Sequence, residues 1–137
     1  MINDLVGVWE KSVRASHTFL TESDIVGLKP FVNEALDGIE TLIAAHDSNA
    51  YVAFMGIQDK KIEMLFVSPV HFGEGIGKRL VSIVIQEHGA TLVDVNEQNP
   101  KAAGFYEHLG FKTFRRDAVD DQGNPFPILR MSLTGDR

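Results

Sequence analysis

The chain has 137 residues, of which 44% are hydrophobic and 23% charged, a composition typical of a globular domain with a buried core. Its formal net charge of -6 and its lack of a Lys/Arg cluster argue against a nucleic-acid partner, because such binding depends on a basic surface. The absence of cysteine excludes disulfides, thiolate catalysis and cysteine-ligated metal sites.

No apolar run is long enough to span a membrane, and the N-terminus lacks the basic and apolar regions of a signal peptide. These features predict a cytoplasmic protein with no membrane partner. The five histidines show no metal-ligand spacing, so we expect no metal. Since no linker or repeat is present, we predict a single domain over residues 1–137.

Two helices are predicted at the N-terminal end of the chain. Apolar residues at helical spacing predict the first from about Asp4 to Ala15. Thr21 is a candidate N-cap for the second, and Asp24 follows at the spacing of a capping box. Pro30 lies inside the second pattern, so we expect that helix to be kinked or split there.

Three strand-like segments follow, over Glu40–Ala45, Tyr51–Ile57 and Ile62–Val67, with turn residues between them. The third is apolar almost throughout, which indicates burial on both faces.

A glycine-rich segment separates the third strand from a helix predicted over Gly75–His88. Glycines stand at positions 73, 75 and 77. Such a loop can aim backbone N–H groups at a phosphate, because glycine has no Cβ and a helix N-terminus carries partial positive charge. A nucleoside-triphosphatase loop is excluded, since no Gly-Lys-Ser/Thr sequence ends the segment.

The next elements are a strand over Thr91–Val95 and a helix that begins at Asn99-Pro100 and ends at Gly110. Asparagine is a favoured N-cap, and proline at the first helical position loses no hydrogen bond.

The last two strands, Phe111–Ala118 and Ile128–Leu133, are predicted to pair like a hairpin around the turn-rich segment Asp120–Pro125. Together the elements predict an α/β (α+β) fold, with a mixed central sheet of about six strands and helices on both faces.

Two motifs, P-V-H-F-G-E-G-I-G-K-R-L and N-E-Q-N-P-K-A-A-G-F-Y-E-H-L-G-F, together resemble the GNAT superfamily of acyl-CoA-dependent N-acetyltransferases. The order of elements matches that family over nearly the whole chain, and the stretches V-N-E-Q-N and V-D-D-Q-G-N-P-F-P resemble its YjaB-like branch. The resemblance implies the acyl-CoA N-acyltransferase fold. It also implies an enzyme that moves an acetyl group from acetyl-CoA to a primary amine of a small molecule or peptide, by direct attack in a ternary complex.

In that family the pantetheine arm lies between the strand before the glycine loop and the strand after the helix, where it pairs with strand backbone. By resemblance, the backbone of Leu65 and Val67 would meet the arm, and amides from Phe72 to Lys78 would hold the diphosphate. Phe72 replaces the Arg or Gln usual at its position. The expected cofactor-binding residues are Leu65, Phe66, Val67, Phe72, Gly73, Gly75, Ile76, Gly77, Lys78, Arg79 and Asn99.

Acetyl transfer needs a base for the amine and an acid for the departing thiolate. Tyr106 occupies the family's general-acid position, and Glu63, at the start of the third strand, is the expected base. Considered alone, Tyr106 fits core packing and Glu63 fits a solvated carboxylate at a strand end.

Two other functional classes also use a glycine-rich loop. A non-catalytic acyl-CoA-binding or regulatory module would keep the glycine loop and lose the acid or base. A nicotinamide-dinucleotide domain is set aside, because the glycine spacing is wrong and Asp94 does not end its strand.

The opening strand usual in the family is missing, which leaves Glu40–Ala45 at a sheet edge. An unpaired edge favours pairing with a second chain, so we expect either a homodimer or a start site set too late in the gene.

Overall fold

The structure is a computed structural model that describes residues 1–18 and 20–133. Phe19 and the last four residues of the predicted 1–137 domain lie outside the described residues. The elements in chain order are α1 (Ile2–Ser16), α2 (Glu22–Gly38), β1 (Thr41–His46), β2 (Tyr51–Gln58), β3 (Lys61–Val67), a 3-10 turn (Pro69–His71), α3 (Ile76–His88), β4 (Leu92–Asn96), α4 (Pro100–His108), β5 (Phe111–Asp117) and β6 (Ile128–Leu133).

The six strands form one mixed sheet in the order β1-β2-β3-β4-β6-β5. Among the strands of the described residues, only β3 and β4 pair in parallel; the other neighbours are antiparallel. This architecture confirms the predicted α/β fold with about six strands. The first strand lies at a sheet edge, as predicted.

The helices cover both faces of the sheet, and each face has its own apolar cluster. On one face, α1 and α2 pack over a cluster that includes Leu5, Trp9 and Phe54, all at most 4% exposed. On the other face, α3 and α4 pack over a cluster that includes Val84 and Phe111. Successive side chains along the central strands point to opposite faces of the sheet and so contribute to both clusters.

The local signals at α2 are confirmed with one exception. The Thr21 hydroxyl accepts from the Asp24 N–H, and the Asp24 carboxylate accepts from the Thr21 N–H, which completes the predicted capping box. Pro30, however, lies inside one continuous helix, so the prediction that it splits the helix is wrong.

The parallel pair β3–β4 is short, and this is what opens the sheet. Only Lys61 and Ile62 of β3 pair with β4, and the strands diverge beyond them. At the same place the β2–β3 register shifts, and Glu63 has no partner on β2. Such a bulge bends and twists its strand, which accounts for the divergence. A wedge-shaped gap therefore separates the C-terminal parts of β3 and β4.

The β5–β6 hairpin is also confirmed, with its turn organised by Asp120. The Asp120 carboxylate accepts from the N–H groups of Gln122 and Asn124. No described helix is long and apolar enough to cross a bilayer.

Candidate active site

A cavity of about 500 Å³ lies between the C-terminal end of α1, β3, the glycine segment and α4. Ten of the eleven predicted cofactor residues, all except Arg79, line it together with Tyr106. A wider cleft of about 790 Å³ lies between α1 and α2, but none of the predicted site residues lines it. The fold therefore brings the sequence-predicted set together at one place.

Backbone donors form one end of this cavity. Gly73 and Gly75 have φ values of +82° and +81°, a left-handed conformation that turns the chain into α3. The first N–H groups of a helix have no acceptor within it. At this end the N–H groups of two loop glycines and of the first three helical residues have no acceptor among the described residues: those of Gly73, Gly75, Ile76, Gly77 and Lys78.

Two expected contacts at this end differ from the sequence prediction. Phe72 lines the cavity, but its N–H is donated to the Pro69 carbonyl at 3.2 Å and is therefore not free for a phosphate. Arg79 is exposed on α3 and does not line the cavity, whereas Lys101 of α4 does.

A second cavity of about 120 Å³ continues the first through the gap between β3 and β4. Its far end is lined by Glu63 and Asp94. The residues shared by both cavities are His17, Leu65, Phe66, Asn99, Ala102 and Tyr106. These six form the junction, the term used below for this part of the site.

The Tyr106 ring is packed edge-on against Phe105 and Phe111, with centroids 5.0 and 5.6 Å away. Tyr106 is only 6% exposed, and this burial raises the pKa of its phenol well above the ordinary value. No buried side-chain oxygen of the described residues lacks a partner, and the Tyr106 hydroxyl bonds to none of those residues, so it opens into the cavity. The phenol of Tyr106 therefore stays protonated at the junction.

Glu63 stands at the opposite end, where its side chain is 35% exposed. Partial burial raises the pKa of its carboxyl, while Lys61, 3.6 Å away, opposes the rise. Lys61 is itself held by Asp94 at 2.6 Å. The site is thus polarised, with Lys78, Lys101 and helix N–H groups at one end and carboxylates at the other.

Asn99 is buried at the junction, where it caps α4. Its Oδ1 accepts from the Ala102 N–H at 3.2 Å. Its Nδ2 lies 3.3 Å from His17 Nε2, although the two residues are 82 positions apart. His17 Nδ1 lies 2.9 Å from the Ser16 hydroxyl, which donates to the Ser12 carbonyl.

The sequence profile described as the acetyltransferase (GNAT) domain matches residues 14–134. The chain belongs to the GNAT acetyltransferase family. It is therefore an N-acetyltransferase with the GNAT fold, as the two motifs predict.

Similar GNAT proteins include the peptidyl-lysine N-acetyltransferase YjaB of Salmonella typhimurium strain LT2. It is 38% identical over 132 residues, which cover 93% of this chain and 88% of that protein. The solution structure of apo YjaB from Escherichia coli superposes with a TM-score of 0.87 at 34% identity, covering 98% of this chain and 91% of that one. These relatives confirm the YjaB-like resemblance.

The fold also matches a Thermoplasma acidophilum PaiA N-acetyltransferase solved in complex with coenzyme A, with a TM-score of 0.68 at 17% identity over 96% of this chain and 92% of that one.

Sequence reasoning missed two polar residues of this GNAT site, Ser16 and Lys101, and favoured a capping or surface role for a third, His17. Lys101 lies two positions after the predicted cap Asn99, so the start of α4 offered a signal for it. Ser16 and His17 reach the site only because α1 packs across β3. No local pattern could have shown that contact.

Proposed function

We propose that the chain transfers an acetyl group from acetyl-CoA to a primary amine by direct attack in a ternary complex. The observation that carries this proposal is the polarised cavity, which joins unpaired backbone donors at α3 to carboxylates beyond the β3–β4 gap. An anionic cofactor suits the first end, and a cationic acceptor suits the second.

The donor end fits the diphosphate and pantetheine arm of a coenzyme A thioester. The five unpaired N–H groups and Lys78 would hold the diphosphate. Ser68 donates its N–H to Val52 of β2, and backbone groups alternate sides along a strand. Leu65 and Val67 therefore turn their backbone groups toward the open gap, where the arm would pair with them.

Two side chains would carry the proton transfers. Glu63 has a pKa raised toward neutral pH, which makes its carboxylate a stronger base. It would accept the proton of the amine as the amine attacks the thioester carbonyl. Tyr106 would give its proton to the departing CoA sulfur as the C–S bond breaks. With no cysteine in the chain, no thiol is present to carry an acyl-enzyme.

The acceptor we propose is a lysine side chain of a peptide, the class named for the YjaB relatives. Glu63 at the far end of the site would favour the ammonium head of a lysine. Asp94, which also lies there, is already paired with Lys61 and Arg130. Small primary amines are the alternative acceptors within the same chemistry.

The test is release of free CoA from acetyl-CoA, with lysine peptides and small amines offered in parallel. Turnover with a lysine peptide would support the proposal. Tight binding of acetyl-CoA with no turnover on any amine would instead favour a non-catalytic acyl-CoA-binding module.

The edge strand β1 supports a further proposal, that the chain forms a homodimer by strand pairing. Sedimentation that shows a monomer at high concentration would refute it. We also propose a cytoplasmic location, which fits the lack of cysteine and is tested by cell fractionation.

A further inference from the structure

His17 is the one junction residue that neither the motifs nor the proposed chemistry employs. It belongs to the C-terminal end of α1, which packs on β2 and β3. Its partner Asn99 follows β4 and begins α4, the helix that carries Tyr106. The His17–Asn99 contact therefore joins the two sides of the β3–β4 gap.

The hydrogen bonds around His17 fix its tautomer. Because Asn99 Oδ1 is used by the Ala102 N–H, the atom that faces His17 is the amide nitrogen, which can only donate. Nε2 must then accept. The single hydroxyl proton of Ser16 goes to the Ser12 carbonyl, so Nδ1 must donate to Ser16. Both ends agree on a neutral imidazole with its proton on Nδ1.

The surroundings favour this neutral form. The His17 ring lies 6.2 Å from the Phe66 ring, and burial lowers the pKa of the imidazole. A protonated ring would present a second donor to the Asn99 amide and lose the contact.

We propose that His17 is a positioning residue, which accepts one N–H of the Asn99 amide across the gap and so fixes the start of α4 relative to β3. One amide N–H held by His17 leaves the other directed at the junction, where the acyl end of the donor would lie. The same contact sets the position of α4, and hence of Tyr106. This inference rests on the proposed acetyl transfer.

The first test reads the tautomer directly. Nitrogen-15 NMR of the full chain at neutral pH should show His17 with a protonated Nδ1 and a bare, hydrogen-bonded Nε2. The opposite tautomer, or a doubly protonated ring, would overturn the proposal. This measurement needs no turnover, so it stands even if no amine is acetylated and the proposed function fails.

The second test separates the hydrogen bond from the shape of the ring. Gln places Oε1 as many bonds from its Cβ as His places Nε2, so His17→Gln keeps the acceptor, whereas His17→Phe keeps only a ring. We expect His17→Phe to lower kcat/KM for acetyl-CoA about tenfold, the effect of about one net hydrogen bond. His17→Gln should stay within about threefold of wild type. His88→Phe, at an exposed position in the last turn of α3, is the control for the substitution itself.

The decisive comparison repeats His17→Phe in an Asn99→Ala background. If His17 acts through Asn99, the second change should have little further effect on kcat/KM. Fully additive losses, or equal losses in the Gln and Phe variants, would show a merely structural role and overturn the proposal.

Discussion

At the scale of single residues, the position of Tyr106 explains how a phenol could serve as an acid in this site. Aromatic contacts fix its ring, and burial keeps its hydroxyl protonated well beyond neutral pH. A tyrosine exposed to water would begin to ionise near pH ~10.

Tyr106→Phe should lower kcat by roughly 10²–10⁴-fold, because it removes the proton donor and keeps the ring. Affinity for acetyl-CoA, measured by calorimetry, should change little, since the phosphate and pantetheine contacts lie elsewhere. Unchanged turnover would remove Tyr106 from the mechanism.

Glu63→Gln should remove most of the activity at neutral pH and leave the fold at least as stable. The raised pKa means that ionising Glu63 costs stability, a cost that appears as pH rises from below the ordinary value of 4.5 through the raised one. The neutral amide avoids this cost. Thermal unfolding at neutral pH checks the stability, and CoA release checks the activity. A clear fall in unfolding temperature would contradict the pKa argument.

The two proposed catalytic residues could be found from the sequence, but their setting could not. Tyr106 and Asn99 belong to one local motif that carries its own helix cap. His17 could not be found in this way, because its contact with Asn99 spans 82 positions and depends on how α1 crosses the sheet.

At the scale of elements, the turn into α3 depends on backbone conformation more than on side chains. Gly75 is the N-cap and has a left-handed conformation, yet no atom outside its immediate neighbours lies within 4 Å of a Cβ placed there. Any effect of a substitution must therefore come from the backbone.

Gly75→Ala should weaken acetyl-CoA binding, because a left-handed alanine costs about 1–2 kcal/mol and would turn the N–H groups away from the phosphates. Gly27→Ala is the matched control, since Gly27 lies inside α2 with open space around it. That change should stabilise the fold by about 0.5–1 kcal/mol and leave binding intact. Calorimetry and thermal unfolding of both variants test this; equal affinities for the ligand would refute the role of the turn.

Local signals predicted the elements well, and the gap between strands less well. The Thr21 capping box and the Asp120 turn depend on residues a few positions apart, so the sequence shows them directly. That β3 leaves β4 after Ile62 depends on pairing between distant segments, and only the family resemblance indicated it. Pro30 does not split α2, because a continuous helix can accommodate the one hydrogen bond that proline removes.

At the scale of the whole molecule, one ion network connects the strands on the side of the sheet that carries Glu63. Arg130 of β6 bonds to Asp94 at 2.6 Å, Asp117 at 2.8 Å and Asp121 at 3.0 Å. Asp94 also holds Lys61 of β3. The network thus ties β3, β4, β5 and β6 together behind the active site.

Arg130→Gln should lower the unfolding temperature at neutral pH, because three carboxylates lose their shared partner. Hydrogen bonding from Arg130 lowers the pKa of Asp117, so its contribution is present above the ordinary value of 3.8 and is lost as pH falls through the lowered one. The difference in unfolding temperature between wild type and variant should therefore become smaller in acid. Thermal unfolding across a pH series measures this difference. A difference that stays constant into strong acid would refute the role given to Arg130.

The bulge at Glu63, which has no pairing partner on β2, also limits how this protein can be engineered. A strand in unbroken register would make the firmer sheet, and a designer seeking heat resistance would be drawn to straighten β3. Doing so would narrow the passage through the β3–β4 gap that joins the two ends of the site. Straightening β3 would raise thermal stability but lower turnover. Stabilising substitutions are therefore better placed on the face of the sheet covered by α1 and α2.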